Sequence, residues 1–329
     1  MNINQIIELS MLLDHERFQK VFKHAFSKTG YMGDKEDEYI DQSLEEKGMT
    51  LIYRDSQYKK KIKVVVNVGQ LLKGSKPDPD KIVRKIDKRI REYFNFRYSI
   101  DDLFLSGIRL MTDINVWNRE NVRVYLKVFQ RIGKVKGFSK ASYEYFEDID
   151  NFCLSGNSNG VEFMIYNLEE LYRKKTNEDG IGQQKMKEVI KESKGILRTE
   201  VWLTKPKAVR AYTNSENISK QIINLSEKSQ DIFLDTFRRI IPFGNFYKKS
   251  KAEEIIWSQI KDSRLRRRML RLVALIPEKR SLYLAQKAMN YRNIEQVMTE
   301  FAKINISPVT ISKRQDAKFL ENIYKYMML

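Results

Sequence analysis

The sequence predicts an α+β fold, with two βαβ-like halves sharing a central antiparallel or mixed sheet over residues 1–242 and a helical, basic domain over residues 243–329. Two patterns carry this reading. Apolar or β-branched runs at 103–116, 161–166 and 196–209 alternate with helical stretches, so the order strand, helix, strand appears twice, around Asp113 and then around Glu170 and Glu200. Beyond Pro242 the composition shifts, and everything after about Tyr247 reads as helical. With 329 residues, 42% of them hydrophobic, the chain has room for about two domains and a substantial core.

The first 18 residues have no basic start before their apolar patch and no small-residue cleavage site, so no secretory signal is expected. Residues 50–54 and 60–68 are β-branched and joined by a polar turn at 55–58, the pattern of a hairpin. Asp78 and Pro79 offer a cap and a first-turn proline for a helix with Ile82, Ile86, Ile90 and Phe94 on its apolar side and Lys and Arg on the other. A long strand at 103–116 carries Asp113 late in its course and precedes a helix at 119–132. After the loop LSGNSNG comes a strand at 161–166 leading into NLEELYRKK, then a helix at 184–194. In the stretch 196–209, Arg198 and Glu200 share one face, and Leu197, Thr199 and Val201 the other. Ionised groups on an inward face need a partner, water or a metal; on an edge strand they would simply meet solvent.

Residues 216–241 follow a helical pattern. In the next region Leu265, Met269, Leu272, Val273 and Ile276 form a stripe, Arg264, Arg266, Arg267, Arg268 and Arg271 fill the rest of that helix, and Pro277 is expected to end it. A second stripe runs from Ile294 to Ile304, and a last amphipathic helix is expected from about Asp316. Short basic helices with tight connections fit a helix-turn-helix-like DNA module, and equally an ordinary bundle with solvated arginines.

The net charge of +18, from 61 Lys and Arg against 43 Asp and Glu, makes nucleic acid the expected partner, with phosphates neutralising the excess. No apolar run is long enough to span a bilayer, so no membrane partner is expected. One cysteine, Cys153, fits a reducing cytoplasm, and two histidines leave a zinc site without ligands. The available metal ligands are carboxylates, which favour magnesium or manganese; Asp113, Glu169 or Glu170, and Glu200 fall at or just after strand ends. A covalent route through DNA would use a tyrosine. Tyr247, flanked by Lys248, Lys249 and Lys251, and Tyr212, near the Glu200 strand, are the candidates, while Tyr166 and Tyr172 flank NLEEL. Aromatic residues amid Lys and Arg also suit stacking of unpaired bases.

The series LFLSGIRLMTDINV, FMIYNLEELYRKK, ILRTEVWLTKPKA, PFGNFYKKSKAEEII and INISPVTISKRQDAKFLENIYKY resembles replication initiation proteins of rolling-circle plasmids, of filamentous phages (the gene II and X type) and of integrative elements of Firmicutes, over most of the chain from about residue 50. The resemblance implies a replication-initiator-like domain that binds an origin duplex and its single strand and nicks one strand through a tyrosine. It also implies a divalent metal, Mg or Mn, held by Asp113, Glu170 and Glu200, with Arg198, Lys248, Lys249 and the arginines of 264–271 on DNA. A host helicase and a dimer are further expectations. Arg198 and Glu200 match the family's Arg-x-Glu, but Gly107 and Arg109 stand where an Arg and the first Asp belong, and Leu168 replaces a basic residue. The alternative is a non-catalytic DNA-binding protein that retains the initiator fold; a basic surface serving RNA is a third reading.

Overall fold

The computed structural model describes residues 2–26, 30–33, 37–75, 78–156, 158–179 and 183–327. Ten strands form one sheet: β1 (Asn4–Leu13), β2 (Gly30–Met32), β3 (Glu38–Asp41), β4 (Met49–Asp55), β5 (Lys60–Asn67), β6 (Phe104–Asn115), β7 (Ser139–Lys140), β8 (Asn151–Gly156), β9 (Val161–Asn167) and β10 (Ile196–Leu203). Their spatial order is β2-β3-β4-β5-β1-β6-β10-β9-β8-β7, and each neighbouring pair is antiparallel.

That order contains a repeat. In β1–β5 the first strand pairs with the fifth, and the fourth, third and second follow outward; β6–β10 do the same, and β1 and β6 meet antiparallel at the centre. The two halves are therefore residues 4–67 and 104–203. The expected division around Asp113 and around Glu170 and Glu200 is corrected, because all three acids lie in the second half. The expected βαβ units also give way to antiparallel meanders, since each long strand is followed by a helix and then by strands that return by adjacent pairing.

Helices α1 (His15–Phe26), α2 (Val68–Leu71), α3 (Pro79–Tyr93), α4 (Arg119–Ile132), α5 (Leu168–Asp179), α6 (Gln183–Glu192), α7 (Pro206–Arg210), α8 (Ile218–Glu227) and α9 (Ser229–Ile240) accompany the sheet. As the sequence predicts, α3 is capped by Asp78, whose side chain accepts from the amides of Asp80 and Lys81, and it buries Ile82, Ile86, Ile90 and Tyr93. The strand at 196 stops at Leu203, because Pro206 starts α7. One face of the sheet, carrying Ile7, Leu9, Met11, Ile62, Val64, Leu110, Val201 and Leu203, is the core face under the helices, among which α3, α4, α8 and α9 bury apolar stripes.

Helices α10 (Lys249–Gln259), α11 (Ser263–Lys279), α12 (Leu282–Ala288) and α13 (Ile294–Lys303) follow, then α14 (Tyr324–Met327); β11 (Phe246–Tyr247) pairs with β12 (Phe319–Leu320). Pro277 lies inside the last turn of α11, which runs on to Lys279 and is capped by Arg280 at φ 51°. The helix expected from Asp316 is replaced by β12 and the four-residue α14. There the backbone joins β11, and Asn322 N donates to Asn245 Oδ1 at 2.7 Å, so long-range pairing overrides an amphipathic spacing.

The core is continuous across residue 242. Phe246 meets Tyr125 and Phe129 of α4 edge-on, at 6.1 and 6.0 Å between centroids. Tyr324 Oη donates to the Ile241 carbonyl at 2.6 Å. Sandwiched between the sheet and the C-terminal helices, α4 buries Val122, Val124, Tyr125, Leu126, Val128, Phe129 and Ile132. No described helix is long and apolar enough to cross a membrane.

Candidate functional site

Alternation places a second set of residues on the other face of the sheet. Strand registers set Asp113 beside Arg198, Met111 beside Glu200 and Arg109 beside Trp202 across β6 and β10, and Tyr166, Met164 and Glu162 beside the same three on β9. Among the described residues, its β8–β9 end is covered by a small apolar cluster of Phe146, Ile149, Leu168 and Leu171 against Cys153, Met164 and Tyr166, and the rest of this face carries no comparable apolar cluster.

Between that cover and the centre of the sheet lies a pocket of 480 Å³. Glu200 and the cations Arg109, Lys175 and Arg198 line it, together with Tyr143, Tyr145, Tyr172 and Trp202. Glu200 is 4% exposed. Its Oε1 accepts from Tyr166 Oη at 2.5 Å, and its Oε2 lies 3.6 Å from Arg109 Nε, an ion pair without a hydrogen bond. The Arg109 guanidinium stacks over the Trp202 ring at 4.3 Å. Arg198 grips Asp113 with two hydrogen bonds of 2.7 Å, Nε to Oδ1 and Nη2 to Oδ2. Burial works against the charge on Arg198, but the Asp113 carboxylate outweighs it and holds the guanidinium pKa above its usual value. Burial, with Glu200 beside it, pushes the Tyr166 phenol up and keeps it protonated. The indole Nε1 of Trp202 is buried without a hydrogen-bond partner among the described residues.

The sequence-predicted residues separate into two groups. Asp113, Arg198 and Glu200 do share one face. Glu170 does not join them: it sits in the first turn of α5 and accepts from Asp150 N at 2.8 Å, while Glu169 is held between Arg119 at 3.1 Å and Arg173 at 2.8 Å. Gly107, on the same face as Arg109, has no room for a side chain, because a Cβ there would stand 2.8 Å from the Leu203 carbonyl and 3.2 Å from Glu8 Oε2. A β-bulge at Ser106 makes this close approach, and the Ser106 hydroxyl donates to the Glu8 carbonyl at 3.0 Å.

The carboxylates do not fit the implied divalent ion. Both oxygens of Asp113 take Arg198, both of Glu200 face Tyr166 and Arg109, and no group of three potential ligands assembles among the described residues. The candidate nucleophiles also stand apart from these acids. Tyr212 is half-buried, with its pKa raised by burial. Tyr247 packs on Phe319 at 5.1 Å in the β11–β12 pair.

Among the predicted DNA contacts, Lys248 turns inward, its Nζ donating to the carbonyls of Ser312 at 3.1 Å, Lys313 at 3.3 Å and Gln315. Lys249 pairs with Glu253 at 3.7 Å. Arg266 lies over Trp257 at 4.2 Å, and Arg268 over Tyr291 at 3.8 Å, with a 2.7 Å hydrogen bond to its hydroxyl. Arg264, Arg267 and Arg271 are exposed along one ridge of α11, and none of them has an ion-pair partner among the described residues. Sequence reasoning missed Arg109 as a partner of Glu200, as well as Trp202, Tyr143, Tyr145 and Lys175. The first two were within reach of the strand alternation, while the last three come to the pocket on segments that no periodicity marks.

Comparison of the chain with protein-family models, with curated proteins and with solved structures finds no match to any of them.

Proposed function

We propose that this chain is a DNA-binding protein of the replication-initiator kind that seats an unpaired nucleotide in the pocket on its open sheet face and holds duplex phosphates along the α11 ridge. The pocket lining carries the reading. Three cations against one acid, with six aromatic rings around a 480 Å³ space, offer charge to a phosphate and ring faces to a base. The +18 net charge supplies the sequence-independent part of the affinity. Because Asp113 and Glu200 are already bound by arginines and a phenol, binding without strand cleavage is the reading that this donor set favours.

Fluorescence anisotropy of single-stranded and duplex oligonucleotides across a salt series tests this. Trp202→Ala should weaken single-strand binding about 5- to 150-fold, at about 1–3 kcal/mol per stacked base, and duplex binding much less. Replacing Arg264, Arg267 and Arg271 together by Gln should make the duplex salt slope less negative by about 2–3. Incubation with supercoiled DNA and manganese should yield neither a nick nor a denaturant-resistant adduct. An adduct mapping to one tyrosine would replace this reading with the nicking initiator, and absence of DNA binding would refute both.

A further inference from the structure

The repeat in the sheet gives the first half an open face of its own. Strands β4 and β5 stand in it where β9 and β10 stand in the second half. In place of Tyr166, Arg198 and Glu200, they present Arg54, Lys61 and Lys63: register sets Arg54 beside Lys61 and Ile52 beside Lys63. Two of these cations are satisfied, Arg54 by Glu38 and Lys63 by Glu8 at 2.8 Å. Lys61 has neither an ion pair nor a hydrogen bond among the described residues, although it is only part exposed. Burial lowers its pKa, and the like charges of Lys63, Arg54 and Lys59 lower it further, against one raising neighbour, Glu8. Opposite it on β1 stands Leu12, which is 56% exposed. A cation held among cations without an anion of its own is an incomplete site.

We propose that β4 and β5 form a second nucleic-acid contact on the same open face, with Lys61 receiving a backbone phosphate of the strand whose unpaired nucleotide enters the Arg109–Trp202 pocket. This rests on the DNA-binding reading above. The ligand is a phosphodiester backbone because it brings an anion to Lys61 and apolar sugar and base surface to Leu12, and because a bound strand can continue across the sheet from one half to the other. Lys63 and Arg54 keep their acids and supply field, while Lys61 supplies the contact.

Lys61→Gln and Lys61→Arg in the full chain test it, with binding of a single-stranded oligonucleotide of about 20 nucleotides measured by anisotropy from 50 to 200 mM salt. Lys61→Gln should bind about three- to tenfold more weakly at low salt, with a slope less negative by about 0.7. Lys61→Arg should keep the parent's slope. The thermal midpoint of Lys61→Gln should equal or exceed the parent's, because one of several crowded like charges is removed. A Lys61→Gln slope identical to that of a DNA-binding parent overturns this inference and leaves the pocket reading standing. A parent that binds no DNA overturns both.

Discussion

Whether Glu200 holds a metal or holds an arginine decides the character of the open face, and neutralising it separates the two by sign. Glu200→Gln keeps the shape and an acceptor for Tyr166 but removes the partner of Arg109. At 3.6 Å the pair attracts with about 4–5 kcal/mol at an effective dielectric of about 20. Arg109 is 29% exposed and its face rests on Trp202, so water recovers part of that attraction. The expected net loss is about 2 kcal/mol, below the roughly 3–5 kcal/mol typical of a fully enclosed pair. Urea unfolding measures it: the midpoint should fall with an unchanged slope, and millimolar manganese should stabilise neither parent nor variant. An acid crowded by other carboxylates around an absent cation would behave in the opposite way. A variant as stable as the parent or more so, together with manganese stabilisation of the parent alone, would refute the arginine-partner account.

Lys248→Met should cost about 2 kcal/mol, because three carbonyls of 312–315 lose their charged donor, and should leave the DNA salt slope unchanged; a slope change at constant stability would return Lys248 to the DNA contacts. Burial, then Glu200 and Glu162, push the Cys153 thiol up to about 12, so iodoacetamide at pH 8 should leave it unmodified in the folded chain and alkylate it in urea. The same shift sets a pH dependence. The folded state keeps a proton that the unfolded state releases, so stability is full below about pH 9 and is lost as pH rises towards about 12, with the raised phenols of Tyr166 and Tyr143 acting in the same direction. A thermal midpoint that rises between pH 8 and 11 would refute that sign.

What the sequence made legible was local. The β-branched hairpin and the Asp78 cap with its isoleucine stripe formed as read, and the alternation read over 196–209 formed as far as Leu203, because each signal lies within one element. Partner choice was not local. Arg198 stands two residues from Glu200 in the chain, yet it bonds Asp113, 85 residues away, while Glu200 faces Arg109; only cross-strand register distinguishes these pairings. The N-terminal run has an apolar patch that invites comparison with a signal segment, whereas Gln5, Ile7, Leu9 and Met11 alternate towards the core along a central strand. The tail after Pro308 has helical spacing but spends it on β12 and on contacts with residues 241–248.

The antiparallel seam between β1 and β6 is what two separate five-stranded units would make if they met edge to edge as an isologous pair, each offering the same strand to the other. One chain therefore does within itself what a dimer would otherwise do between copies. Joining in this way buries the two long edges, 10 and 12 residues, that invite uncontrolled strand addition. The sheet is left to end in β2 and β7, of three and two residues, too short to template another chain. Any further self-association of this molecule should therefore avoid the sheet edges.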